Sequence, residues 1–546
     1  MRRQHRARWY RLRSRRSDYS RVPIAHAESI DSLFDRYGPA YKWFATCTCM
    51  VATLTVALAG STVNVAFPEI MGAFGIGRDQ AQLLSTGYFA AQTAGMLLSA
   101  WLIEVIGERR TCTVALVAFL LGGLMSGFAA DPESLIFGRV MQGVSSGVVQ
   151  PLGMAVTFRV FPQESKGLSM GIHSLGMVMG PSLGPTMGGL AIAEFSWRAV
   201  FLLSLPTAFL ALVACNLFLP SRTIPKIVPK FDFLGFTFLC ASLVGFLLGF
   251  SYGQRLGWTS ADILGLFALA LFGAAGFILR QLYGGSPLVN LSLFTNLQFS
   301  AAALIAFFTG CAFLSSTFML PLFVQQIQHY SALDAGLMMI PAGLSLLILF
   351  PLAGRLTDLF SPQYMIYVGL LLFAVAYALM AQSDVNTPFW TIVGLTLLMR
   401  AGTAFTRPVT NTVALRSLPS DLVHQGASSI NFIRKLGAAL GTNSIVVFLE
   451  WRIPFHGDAF AATQTGARET GQEMTDALMR LFAEAGVPET ARAPGVFHYL
   501  GDMIYAQAST MGYHDAFMVL AVIALLGVFP AWVMSRSRHG TAARIS

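Results

Sequence analysis

The chain has 546 residues, 55% of them hydrophobic and 12% charged, with a mean hydropathy of +0.61. Soluble domains carry about 25% charged residues, so a water-soluble enzyme or binding module is excluded and the sequence reads as a polytopic membrane protein. The net charge of +9 is read as a topology signal with attraction to the anionic lipid of the bilayer. No nucleic-acid partner is expected.

The first element is residues 1–42. MRRQHRARWYRLRSRR is followed by no apolar core before residue 43, so this stretch reads as a basic cytoplasmic tail rather than a cleavable signal. Fourteen apolar segments of roughly spanning length follow, at about 43–67, 81–103, 111–130, 134–160, 168–193, 199–219, 232–252, 261–283, 298–326, 335–354, 362–381, 388–415, 424–449 and 515–534. A second cytoplasmic tail is expected at 536–546.

With the first tail inside, it contributes eleven Lys and Arg. The inner loops add Arg109, Arg110, Arg159, Lys166, Arg222, Lys226, Lys230, Arg280, Arg355 and Arg416, against Arg78, Arg198 and Arg255 on the short outer loops. This asymmetry predicts both termini in the cytoplasm. The loop at about 450–513 then lies outside and carries the opposite bias, eight acids against four bases. Within it ETGQEMTDALMRLFAEAG (469–486) sets Met474, Leu478, Leu481 and Phe482 at helical spacing, which predicts an amphipathic helix on the outer surface. The six cysteines (Cys47, Cys49, Cys112, Cys215, Cys240, Cys311) fall in or at the ends of apolar runs, and no loop carries a pair, so packing rather than disulfide bonding is expected.

The chain also repeats itself. At an offset of 261 residues, Arg139 falls on Arg400, His173 on Arg434, Leu175 and Gly176 on Leu436 and Gly437, and Gly180 on Gly441. AWLIEVIGERR (100–110), after segment 2, pairs in kind with LAGRLTDLFSPQ (352–363), after segment 10. Duplication of this kind is common in transporters. Segments 1–6 and 9–14 are the halves, and 7 and 8 an inserted pair.

Six motifs stand in order along the segments. STVNVAFPEI ends segment 1, and WLIEVIGERR forms the loop between 2 and 3. RVMQGVSSGVVQP (139–151) lies in segment 4 and GMVMGPSLGPTMGG (176–189) in segment 5. WRAVFLLSLP (197–206) enters segment 6, and GASSINFIRKLGAALGT (426–442) lies in segment 13. The ordered set resembles the fourteen-spanner drug:proton antiporters of the major facilitator superfamily, the EmrB/QacA type, over about residues 43–535. The resemblance implies an all-α membrane protein with the major facilitator fold and 14 transmembrane helices. Its halves would be 43–219 and 291–535, joined by a two-helix insert at 220–290. It implies a secondary transporter of a bacterial inner membrane, not an enzyme. Such a carrier exports amphiphilic small molecules by alternating access, with no cofactor and the proton gradient as energy source. A periplasmic adaptor and an outer-membrane duct are further partners that the resemblance suggests for the outer loop.

Each motif has a physical reading beside the inherited one. Gly176, Gly180, Gly184 and Gly188 recur every four residues and drift only about 40° per step, making one smooth helix face for close packing. Gly189 extends the small-residue run, and Pro181 and Pro185 permit a bend. The resemblance makes this stretch an antiporter seam, and a seal between the rocking halves is expected there. Arg139 is an intramembrane charge that must face a cavity or a partner. Gln142, one turn away, is its nearest candidate partner, and the resemblance assigns the arginine to proton transfer. Glu104, Gly107, Arg109 and Arg110 in one loop, with Gly354, Arg355 and Asp358 in its mate, are expected to form a charged gate that locks one conformation. Asn64, Arg400, Asn431 and Arg434 are candidates for the substrate cavity, while Arg407 and Lys435 can instead snorkel toward the interface.

One departure bears on coupling. The family commonly places an aspartate five residues before the asparagine that is Asn64 here, and this chain has Ala59. His173 is the only deep histidine, and its ordinary pKa near 6.5 suits a proton carrier. Glu69, at the outer end of segment 1, is a second candidate. With arginines and aromatics in place of a buried acid, neutral or anionic amphiphiles are the favoured substrates. A facilitator or a differently coupled carrier, such as a siderophore or metabolite exporter, stays open. A non-transporting sensor on a carrier fold also stays open. A lipid enzyme is disfavoured because HExxH, GxSxG and surface carboxylate clusters are lacking. No metal site is expected.

Overall fold

The computed structural model describes residues 28–221, 230–284, 287–463 and 469–542. The basic stretch 1–27, Arg222, Lys226 and the last residues of the expected C-terminal tail lie outside them. Every long element is a helix. In chain order these are α1 (Ile30–Tyr37), α2 (Tyr41–Thr62), α3 (Phe67–Phe74), α4 (Arg78–Ile106), α5 (Glu108–Gly127), α6 (Pro132–Val160), α7 (Lys166–Glu194), α8 (Ala199–Leu202) and α9 (Leu205–Phe218). Then come α10 (Phe233–Leu256), α11 (Ala261–Tyr283), α12 (Leu297–Gln326), α13 (Ala332–Leu359), α14 (Pro362–Met380), α15 (Phe389–Arg416), α16 (Val423–Thr463), α17 (Glu469–Glu484), α18 (Glu489–Leu526) and α19 (Val528–Ala542).

Among the described residues, 12 helical stretches are long and apolar enough to cross a membrane. The 29-residue helices α6 and α7, read from the sequence as segments 4 and 5, are not among them. The reason is physical. They carry Arg139, Gln142, His173 and a run of Gly and Ser, which lower the hydropathy of both helices. Helices α2, α4, α5, α6, α7 and α9 pack on one another, and so do α12 to α16 with α18 and α19. The two groups meet chiefly through α7 against α13 and α4 against α16. Helices α10 and α11 pack on each other, and α10 packs against α4. Only 28% and 11% of their apolar windows are buried, so they lie at the periphery.

Three expectations are corrected. Residues 28–41 are not simple tail: Ser29 caps α1, Leu33 is buried, and Glu28 accepts from both Arg36 (2.6 Å) and Arg109. The Glu28 and Ser221 backbones are joined by a 2.9 Å hydrogen bond, which docks the start of α1 on the end of α9. Residues 450–513 are not a loop, because α16 runs unbroken to Thr463 and α18 starts at Glu489. The amphipathic α17 forms, but it rests on α18 rather than lying free. Phe482 meets Tyr499 at 6.4 Å and covers Gly495, while Leu481 stays exposed. Finally, the structure pairs Cys112 with Cys215 as a disulfide. The two lie 103 residues apart, but the packing of α5 on α9 brings their Cα atoms to 6.7 Å.

Candidate translocation pathway

The interior carries four arginines and a histidine. Arg139, on α6, is 1% exposed. Its Nη1 donates to Gln142 Oε1 (3.0 Å) and to the carbonyl of Ala59 (3.0 Å). Its guanidinium lies 4.2 Å from the Tyr88 ring, while Nη2 finds no protein acceptor. Arg400, at the repeat-related place on α15, lies 4.8 Å from the Phe313 ring and reaches the Thr317 hydroxyl at 3.4 Å. Arg434, on α16, donates from Nη1 to Asn431 Oδ1 (3.3 Å) and from Nη2 to Asn411 Oδ1. Arg407 Nη2 contacts Met177 Sδ at 3.5 Å, and Lys435 sits 4.1 Å from the Phe89 ring. Neither side chain is exposed. His173, on α7, is fully buried and neither ring nitrogen has a partner. Among the described residues no carboxylate accepts from any of these groups. Buried charges are usually paired, and here amide oxygens, carbonyls and aromatic faces stand in for acids.

Two of the candidates lie apart from this interior. Asn64, in a short turn at the end of α2, is exposed and accepts from the Ser85 hydroxyl at 2.8 Å. Glu69 is exposed on α3. The turn between α2 and α3 places both on the surface rather than in the interior.

The glycine face of α7 forms, but against a different neighbour than expected. A Cβ on Gly176 would lie 2.8 Å from the Met50 carbonyl, one on Gly180 2.5 Å from Ala57, and one on Gly188 2.9 Å from the Thr62 carbonyl. Gly184 packs on Ser61, whose hydroxyl donates to the Gly180 carbonyl at 3.1 Å. All four therefore seat α7 on α2, inside one bundle, and do not seal the boundary between bundles. Gly189 meets nothing within 4 Å. The helix continues through Pro181 and Pro185. The boundary is sealed by a second small-residue row on α7: Gly167 against Gly354, Gly171 against Phe350, and Ser182 against Gly343 of α13. Gly437 and Gly441 repeat the first pattern by seating α16 on Phe307 and Cys311 of α12.

The charged gate also forms with different members. Asp358, at the end of α13, accepts from the backbone N–H groups of Gly167 (2.8 Å) and Leu168 (2.9 Å) in the other bundle. It thereby caps the positive end of α7 across the boundary. Arg416 holds the same carboxylate at 2.7 Å and donates to the Gln163 carbonyl at 2.8 Å. Glu108 accepts from Arg159 (2.5 Å) and pairs with His424 (3.1 Å) of the opposite bundle. Gly107 makes the tight α4–α5 turn at φ +81°, a conformation that favours glycine. Arg109 turns to Glu28 and the Leu219 carbonyl (2.7 Å). The Arg109 guanidinium holds the Glu28 carboxyl below the usual carboxylate range. Glu104, Arg110 and Arg355 are exposed and stay out of the network, because their helix turns carry them away from the partner bundle. Sequence reasoning missed Glu108, His424, Gly167 and Gly171 as gate residues. The four-residue spacing of Gly167 and Gly171, and the acid at 108 beside Arg109, were the available signals. The face bearing these loops is closed.

Comparison with known proteins agrees with this architecture. The Major Facilitator Superfamily profile matches residues 49–442. The chain belongs to the Major Facilitator Superfamily. It is 26% identical to the multidrug export protein EmrB of Haemophilus influenzae, over 91% of this chain and 96% of that one. It is 27% identical to the lincomycin resistance protein LmrB of Listeria monocytogenes, over 70% and 81%. Solved structures share the fold. The human organic anion transporter MFSD10 superposes with a TM-score of 0.59 at 14% identity, over 90% of this chain and 99% of its own. The proton:xylose symporter XylE gives 0.59 at 13%, over 91% and 96%.

Proposed function

We propose that this chain is a multidrug-type exporter of a bacterial inner membrane, with the closed face and both termini in the cytoplasm. It moves amphiphilic small molecules, neutral or anionic, outward by alternating access, and it is a carrier rather than an enzyme. The observation that carries the reading is the interior of buried arginines, His173 and aromatic rings enclosed where two helix bundles meet, closed at one face by a two-bundle gate. Its relatives' names as multidrug and lincomycin resistance proteins support export as the direction.

Coupling by proton antiport is part of the proposal. His173 is the titrating group, and Arg139 with Gln142 is a second, separate candidate for proton transfer, fourteen residues along α6 from the Gly153 that His173 touches. The extended ends of α16 and α18, with α17, form the outer projection that an adaptor would meet. One observation favours a second reading, a carrier without proton exchange: Arg139 bonds to the backbone of Ala59, where the family resemblance led us to expect an acid. Proteoliposomes with an interior pH dye separate the two. With no imposed gradient, added amphiphile should move protons in the wild type and not in Arg139→Ala. Amphiphile uptake without a pH signal would reject antiport and leave the carrier.

A further inference from the structure

Where α6, α7, α15 and α16 meet, hydrogen-bond donors outnumber acceptors. Both ring nitrogens of His173, Nε of Arg407, Nδ2 of Asn411 and Nε of Arg434 lack protein partners. Arg407 and Arg434 both lie within electrostatic reach of His173 and of each other. The acceptors that do face these cations are all neutral. Arg434 uses two amide oxygens and Arg407 uses the Met177 thioether. Thioether sulfur is a weak acceptor. His173 sits beside Gly153 of α6, so the cluster spans both bundles.

Buried donors without acceptors are uncommon in folded proteins, and a buried cation without a counter-charge is costly. The group that answers the arginine, amide and single imidazole N–H donors carries negative charge and acceptors, which describes a carboxylate or sulfonate. Beside the cluster, Met177, Val178, Phe313, Leu346 and Phe350 form an apolar wall that would take a hydrocarbon body.

We propose that His173, Arg407, Asn411 and Arg434 form a head-group subsite for an organic anion, whose apolar body lies against Phe313, Leu346 and Phe350. The proposal rests on the export reading above and commits it to one substrate charge.

The test is equilibrium binding to the full-length protein in phosphatidylcholine nanodiscs. The probes are naphthalene-1-sulfonate and its neutral isostere naphthalene-1-sulfonamide. The sulfonate should bind at least tenfold more tightly. Arg434→Gln should bring it down to the level of the sulfonamide while leaving sulfonamide binding within twofold. Arg407→Gln carries the same expectation and serves if Arg434→Gln does not fold. Equal binding of the two probes, no binding of either, or equal loss of both in the variants overturns the subsite. Loss of sulfonate binding in phosphatidylglycerol discs would assign the site to a lipid head group and overturn the substrate assignment. The export reading fails separately, if cells lacking the protein accumulate amphiphilic drugs no more than cells that have it.

Discussion

Arg139 is the residue whose surroundings say most. It is buried with one guanidinium nitrogen unmet, and it donates to the Gln142 amide and to the backbone of Ala59 rather than to a carboxylate. A carboxylate at position 59 would supply the missing acceptor. Hydrogen bonds to charged groups contribute about 1.5–3 kcal/mol, offset by burying a second charge. We therefore predict that Ala59→Asp raises the melting temperature of the purified protein, and a lower value would mean that carbonyls and the Tyr88 ring already satisfy the arginine. Glu28 gives a second prediction at this scale. Its carboxyl is held below its ordinary value of 4.5 by Arg109, so its ion pair stabilises the folded chain above that value. The contribution is lost as pH falls through the lowered folded pKa. Exposed pairs contribute about 0–1 kcal/mol, so Glu28→Gln should lower stability slightly at pH 7. The difference from wild type should shrink as pH falls below 4.5 and vanish once the lowered folded pKa is passed, as read by thermal unfolding across pH. A gap that persists in acid would show that Glu28 acts through packing alone.

At the scale of the helix, glycine position decides which neighbour is touched. Gly180 has no room for a side chain because Ala57 of α2 lies against it, whereas Gly189 faces open space. Overpacking a tight contact costs roughly 1–3 kcal/mol or more. Gly180→Leu should therefore sharply reduce yield and melting temperature, while Gly189→Leu should leave both near wild type. Equal effects of the two would mean that the α2–α7 contact is not tight. These helices also show how far the sequence was legible. Apolar run length located the spanning helices, and the period of four identified the glycine face on α7. A periodic face does not say which helix will cover it, and so the glycines expected between bundles proved to lie within one. The gate shows the same limit. Loop charges were visible, but which acid meets which base is fixed by how α5, α13 and α16 stack. For that reason Glu108 and His424 took places expected for Glu104 and Arg355.

For the molecule as a whole, the closed face depends on one acid that belongs to one bundle and caps a helix of the other. Asp358 accepts from the first turn of α7 and from Arg416 at once. Around it the bundles touch through Gly167, Gly171 and Gly354, where backbone approaches backbone. Asp358→Asn keeps the shape of the side chain and removes its charge. A charge at a helix N-terminus contributes about 0.3–2 kcal/mol, and the lost ion pair adds to it. The closed state is thus weakened relative to the open one by enough to shift their ratio by about tenfold, since 1.4 kcal/mol is a factor of ten. The shift can be read at Met170, which is buried at the start of α7 among residues of α12 and α16. In a Cys47→Ser background, Met170→Cys should react slowly with a water-soluble maleimide applied to the cytoplasmic face. Adding Asp358→Asn should speed that reaction by about the same factor. Unchanged labelling would mean that apolar packing between α7 and α13 holds the face shut, and that Asp358 positions α7 without setting the balance between states.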